Sequence, residues 1–219
     1  MINFSSVKLV TFDLDGTIID SYQTIYKTTI KALRKLEIET VVNENEFFNR
    51  IGQHFIDIFH EMNIPVNDFE KFISIYKDYY FDFINESKIY PGVIDTLQFL
   101  NDNDIHISLL TTKMQSQADK IIDHFRLRKY FSLVMGRRNG IANKPSAEPL
   151  LHICNELQIK AENTLMVGDT ELDIQCGKNA GTKTCGAAYG YRTNEQLKKE
   201  NPDTIIYNIS ELKDFTLKQ

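Results

Sequence analysis

From residue 88 onward the chain alternates short apolar runs with longer stretches of helical periodicity, and that alternation leaves few folds open to it. Residues 7–12, 105–110, 164–167 and 182–186 read as buried core strands, with 131–135 and 204–206 as further candidates. Near-continuous apolar runs suit strands that are covered on both faces. Between the later runs, residues 93–101, 114–125, 147–157 and 172–180 carry apolar side chains at helical spacing. Strand, helix, strand, helix specifies an α/β fold, a parallel sheet with helices on both faces. Such sheets bind ligands beyond the carboxyl ends of their strands.

Residues 21–87 break the rhythm. They show no strand pattern and read as three or four helices, with 22–36, 55–62 and 69–84 the clearest. Pro65 separates two of these, and Pro91-Gly92 marks the return to the sheet. The expected organisation is an α/β core of residues 1–20 and 88–219, with a helical cap of residues 21–87 spliced in after the first strand. The aromatic-rich stretch 76–83 is expected to pack inside that insert.

Bulk properties remove several function classes. The chain has 219 residues, 42% hydrophobic and 25% charged, with a net charge of −5 spread along its length. That is ordinary for a globular protein, and it lacks the basic face of a nucleic-acid binder. An anionic small molecule would need a local positive site. Cys154, Cys176 and Cys185 form no C-x-x-C pair, which argues against a zinc site or a disulfide framework and fits a reducing compartment. No run near the N-terminus is long enough for a signal peptide or a membrane span, so a cytoplasmic protein without membrane partners is expected.

Chemistry concentrates at the predicted strand ends. Asp13 and Asp15 follow the first strand directly, and period two puts them on the same side of an extended chain. Two carboxylates that close resist joint ionisation unless a cation lies between them, and a carboxylate beside a hard dication can act as a nucleophile. Asp15-Gly16 on its own also fits a hairpin turn. The second strand ends in Thr111-Thr112-Lys113 and the fourth in Gly168-Asp169-Thr170, with Asp173 four residues after Asp169. Thr111 can hold a phosphate at a helix start or simply cap that helix. Lys113 reads as a solvated charge. Lys144 stands just ahead of a helix N-terminus, with Ser146 as its cap and Pro149 in its first turn, where a compact positive charge adds to the dipole. Thr170 to Asp173 fits a capping box, which could make Asp173 purely structural. Asp169 ends an apolar strand, and with Asp13 and Asp15 it makes an oxygen-only ligand set suited to magnesium. No nucleophile elbow and no P-loop ending occurs.

Taken in order, Asp13-Leu14-Asp15-Gly16-Thr17, Thr111, Lys144 and Gly168-Asp169 with Asp173 resemble the four motifs of the haloacid dehalogenase-like hydrolase superfamily. Tyr90-Pro91-Gly92-Val93 and Arg50-Ile51-Gly52 are similar to its phosphoglycolate phosphatase and pyrophosphatase branch. The resemblance implies a Rossmann-like doubly wound core with a helical cap, and a magnesium-dependent phosphatase acting on a small phosphorylated metabolite. It implies that Asp13 attacks phosphorus, that Asp15 serves as acid and then base, and that Thr111, Thr112 and Lys144 bind phosphoryl oxygens. Asp13, Asp15 through its backbone carbonyl, Asp169 and Asp173 would hold Mg2+. In the cap, Arg50, Gly52, Gln53 and His54 would select the substrate.

Two positions depart from the family pattern. Thr112 stands where Asn is common, and Arg137-Arg138-Asn139 stands where this branch often carries acids. The arginines read as solvated surface charges, with a more anionic substrate as the alternative. A phosphomutase similar to the β-phosphoglucomutase branch and a non-catalytic binding protein of the same fold are the rival functions. A dehalogenase would have no use for Asp15, since its leaving group is not an oxygen.

Overall fold

A computed structural model describes residues 6–216. Eighteen regular elements follow in chain order: β1 (Leu9–Phe12), β2 (Ile19–Asp20), α1 (Tyr22–Lys35), α2 (Glu44–Phe48), α3 (Phe55–Glu61), α4 (Phe69–Tyr80), β3 (Lys88–Ile89), α5 (Val93–Asp102), β4 (His106–Met114), α6 (Gln115–His124), β5 (Leu133–Arg137), α7 (Glu148–Glu156), β6 (Thr164–Gly168), α8 (Glu171–Asn179), β7 (Lys183–Ala187), α9 (Asn194–Lys199), β8 (Thr204–Ile206) and α10 (Leu212–Thr216). No helix among the described residues is long and apolar enough to cross a membrane.

Six strands form one sheet in the order β5-β4-β1-β6-β7-β8, parallel throughout. The first strand made is thus a central one. All four β1 residues are buried, as a strand covered on both faces requires. Its register sets Leu9 opposite His106 on β4 and Thr164 on β6. Leu9 packs in a cluster with Leu150 and Ile153 of α7 and Cys176 of α8, so these two helices cover one face of the sheet. The three cysteines are free and buried, behaving as small core residues.

The chain divides into two compact units, one running through Ile18 and resuming at Ile89, the other Ile19–Lys88. The division falls where β2 pairs with β3 in a two-residue ribbon, too short to leave a periodic signal. Within the second unit α1 packs on α4. Phe55, Phe59, Phe72, Tyr76 and Tyr80 form a chain of ring contacts 4.8–5.9 Å between centroids, and most of these rings are buried. Aromatic pairs at this spacing add to burial, so Tyr76 and Tyr80 of the aromatic stretch are core, while Tyr79, Phe81 and Phe83 are half-buried. Asn43 caps α2 by accepting from the Glu46 N–H, and Asp68 caps α4 by accepting from the Lys71 N–H.

Two local expectations need correction. Thr111 caps no helix: β4 continues to Met114 with an irregularity after Leu110, and α6 begins only at Gln115. Ser146 is not the formal cap of α7, which is Ala147, although the Ser146 hydroxyl does accept from the Glu148 N–H at 3.2 Å.

Candidate active site

The carboxyl ends of β1, β4 and β6 lie side by side because their registers align Phe12 with Leu109 and with Val167. β1 and β6 each carry the chain directly into an acid. Asp13 continues β1, its N–H donating to Val167 O at 2.9 Å. Asp169 follows β6, and Thr111 lies within β4.

Lys144 enters this group from the loop between β5 and α7. Its Nζ donates to Asp13 Oδ1 at 2.6 Å, to Asp173 Oδ1 at 2.5 Å and to Leu110 O at 3.1 Å. Three acceptors use all three donors of an ammonium. Burial works against this charge, but Asp13 and Asp173 outweigh it and hold Lys144 firmly protonated. Asp173 also accepts from the Thr170 N–H and hydroxyl through Oδ2, so one carboxylate both caps α8 and fixes the lysine. The capping reading of Asp173 holds, and the same side chain contacts Lys144. Asp169 is fully buried and accepts from the Thr17 hydroxyl at 3.0 Å and from the Tyr191 N–H at 2.8 Å.

Two glycines make room for these acids. Gly16 adopts φ +85, a left-handed conformation that side chains rarely take, and a Cβ there would strike the Asp169 carboxyl. A Cβ on Gly168 would strike Asp173 in the same way.

One carboxylate oxygen from each of Asp13, Asp169 and Asp173 lies within 4.8 Å of the others, and all three residues are buried. Burial first, then the neighbouring Asp173 and Asp15, push Asp13 up to about 7 against the pull of Lys144. Burial first, then Asp13 and Asp173, push Asp169 well above the usual carboxylate range. Three packed acids with one lysine among them form a negative, oxygen-only cradle, which is the donor chemistry of a hard dication. The Asp15 carboxylate is not part of that trio.

Asp15 faces Lys113 instead, with Nζ 3.2 Å from Oδ2 and side chains only 10% and 13% exposed. The expectation of a solvated Lys113 is overturned. Neither Lys113 nor Tyr191 was open to sequence reasoning: β4 is irregular between Leu110 and Met114, and Tyr191 acts through its backbone. Thr112 is half-buried next to Thr111. Arg137 is half-buried, whereas Arg138 is exposed, as expected of a surface charge. Arg137 Nη2 lies 3.2 Å from Met114 Sδ and Arg138 Nε donates to Gln115 Oε1 at 2.9 Å. A small cavity lined by Thr111, Thr112, Arg137, Arg138, Asn143 and Lys144 joins these arginines to the expected phosphate-binding residues.

In the insert, Arg50 is tied to its own unit: Nε donates to Glu61 Oε2 at 3.0 Å and Nη1 to Glu46 O at 2.9 Å. Gly52 takes φ +102 between Ile51 and Gln53, which bridge to each other. His54 precedes α3 as its cap residue without a side-chain capping bond.

The family model for haloacid dehalogenase-like hydrolases matches residues 10–187. A Clostridium perfringens protein provisionally named pyrophosphatase PpaX is 32% identical over 216 residues, covering 97% of this chain and 98% of its own. The phosphoglycolate phosphatase of Aquifex aeolicus is 30% identical over 207 residues, covering 94% and 95%. The crystal structure of a predicted phosphoglycolate phosphatase from Haemophilus somnus superposes with a TM-score of 0.86 at 25% identity, covering 96% of this chain and 98% of that one.

Proposed function

Because the chain belongs to the haloacid dehalogenase-like hydrolase family, we propose that it is a magnesium-dependent phosphatase that hydrolyses a small phosphorylated metabolite through an aspartyl-phosphate. The observation that carries this reading is Lys144, whose ammonium bridges Asp13 and Asp173 beside Asp169. A nucleophilic carboxylate is there held against a fixed positive charge.

Phosphoryl transfer asks for positioning and charge neutralisation more than for covalent chemistry by the protein. Asp13 attacks phosphorus as the bridging P–O bond breaks, and Asp15 gives its proton to the departing oxygen. Water then attacks the acyl-phosphate, Asp15 takes back a proton, and Asp13 is regenerated as inorganic phosphate leaves. Thr111 and Thr112 would hold the phosphoryl oxygens, and Lys144 would join them by giving up one of its present acceptors. Asp13, Asp169 and Asp173, with the backbone carbonyl of Asp15, would hold the magnesium, which would supply charge neutralisation. The insert would gate the site and select the substrate through Arg50, Gly52, Gln53 and His54. Since Arg50 is engaged with Glu61, Gln53 and His54 are the stronger candidates within that loop.

The test is phosphate release from phosphoglycolate, pyrophosphate, sugar phosphates and nucleotides with magnesium present. Borohydride trapping should convert residue 13 to homoserine during turnover, readable by mass spectrometry. A protein that turns over without ever trapping at Asp13 would refute the covalent route.

A further inference from the structure

The loop after β7 crosses directly over Asp169. β7 runs beside β6 with Gly186 in register with Gly168, so the chain leaving β7 passes the acid that follows β6. Four successive residues of this loop then make specific contacts. The Tyr189 hydroxyl donates to Thr17 O at 3.0 Å, and its ring packs edge-on against Tyr90 with centroids 5.2 Å apart. Gly190 lies so close to the turn after β1 that a Cβ there would strike Gly16 O and the Asp169 side chain. The Tyr191 N–H donates to Asp169 Oδ2 at 2.8 Å. Arg192, only 5% exposed, donates to Glu171 through Nε at 2.8 Å and Nη2 at 3.1 Å. Two N–H donors on one carboxylate fix direction as well as distance.

The loop is thus a strap tied at both ends, by Tyr189 to the turn after β1 and by Arg192 to the first residue of α8. Asp169 lies under it with a donor on each carboxylate oxygen, the Thr17 hydroxyl on Oδ1 and the Tyr191 N–H on Oδ2. The two anchor points follow closely on two expected metal ligands: Thr17 comes two residues after Asp15, and Glu171 two residues after Asp169. β1 and β6 are in register as far as Phe12 and Val167. Past the ends of these strands, the strap spans both chains and sets the distance between them. Neither Tyr189 nor Gly190 takes part in the proposed phosphoryl transfer; what they hold is the spacing of the ligands.

We infer that Tyr189 and Gly190 are positioning residues that set the affinity of the site for its dication, by holding the Asp15–Thr17 turn against Asp169. This rests on the reading of Asp13, Asp169 and Asp173, with the Asp15 carbonyl, as the metal cradle. Groups that orient metal ligands without touching the metal change its affinity by about 10- to 100-fold when they are lost. The Tyr189 hydroxyl acts on the turn through Thr17 O, and Gly190 acts by being small enough to let the turn and the acid meet.

The decisive measurement is metal binding without substrate. Mn2+ is a hard dication suited to the same oxygen ligands, and electron paramagnetic resonance of the free ion reads its binding, with magnesium as competitor. Tyr189→Phe keeps the ring against Tyr90 and removes only the hydroxyl. It should weaken Mn2+ binding by about 10-fold, with a metal-free melting temperature near that of the wild type. Gly190→Ala should weaken binding by about 100-fold, because it displaces Asp169 itself. Wild-type affinity in Tyr189→Phe would overturn the inference, whether or not Gly190→Ala folds. A lowered metal-free melting temperature with affinity kept would do the same, since the hydroxyl would then serve the fold alone. If the wild type bound no Mn2+, or bound it equally well after Asp169→Ala, the metal cradle itself would fall and this inference with it. A wild type that binds through Asp169, beside a Tyr189→Phe that binds as tightly, would remove the inference alone.

Discussion

Lys144 and Asp13 are 131 residues apart in sequence and 2.6 Å apart in the structure. The contact joins the loop after β5 to the end of the central strand β1. It leaves the nucleophile candidate facing a positive charge that water barely reaches. Lys144→Met should abolish phosphate release. It should also destabilise the fold by about 3–5 kcal/mol, because Asp13 and Asp173 would be left as uncompensated buried charges. Chemical denaturation with magnesium absent gives the stability change. Wild-type stability in that variant would show that the pair is not what neutralises the site.

Asp13→Asn should remove turnover while keeping the fold, since an amide cannot form the acyl-phosphate. Its melting temperature without metal should equal or exceed that of the wild type, because one member of a repelling acid group is gone. Phosphate release near the wild-type rate in a clean preparation would sink the assignment of Asp13.

The pH dependence follows from the raised acids. Asp13 moves from an ordinary 3.8 up to about 7 on folding, and Asp169 also rises. An acid bound more tightly to its proton in the folded state contributes stability in full below its unfolded value. That contribution is lost as pH rises through the folded value. The metal-free protein should therefore melt lower at pH 7.5 than at pH 5.5 on this account. Added magnesium should raise the melting temperature by several degrees at pH 7.5 and by much less at pH 5.5. Asp169→Ala should blunt that shift and demand more metal for activity. Scanning fluorimetry across both pH values with and without chelator reads all of this, and a magnesium shift independent of pH would place the metal elsewhere.

Substitutions at Gln53 or His54 should reorder preference among phosphorylated substrates more than they slow borohydride-trappable intermediate formation from a small phosphodonor such as acetyl phosphate. Their loop lies in the insert, in the second compact unit. A fixed rank order of substrates after both substitutions would remove this loop as the selecting element.

Much of the core was legible because buried parallel strands leave continuous apolar runs. The runs at 7–12, 164–167 and 182–186 became β1, β6 and β7, and the first two lead to Asp13 and Asp169. What escaped was short, carried by backbone, or explained only by a distant partner. The five-residue helix α2 and the two-residue strands β2 and β3 hold too few positions for a period to show. Lys113 was misjudged because a lysine considered alone has no reason to be buried, and its reason, Asp15, lies almost a hundred residues earlier. Tyr191 supports Asp169 through an N–H that any residue but proline could offer.

The central place of β1 has a consequence for how the protein is made. Leu9 leaves the ribosome before either of its partners, His106 and Thr164, which follow far later in the chain and flank it on opposite sides. Until β6 is synthesised the strand that carries Asp13 has an open edge, and no local contact can close it. Residues remote from Asp13 in the chain are thus needed to seat it, and a chain ending before β6 would leave β1 open along one side as well as lacking Asp169 and Asp173.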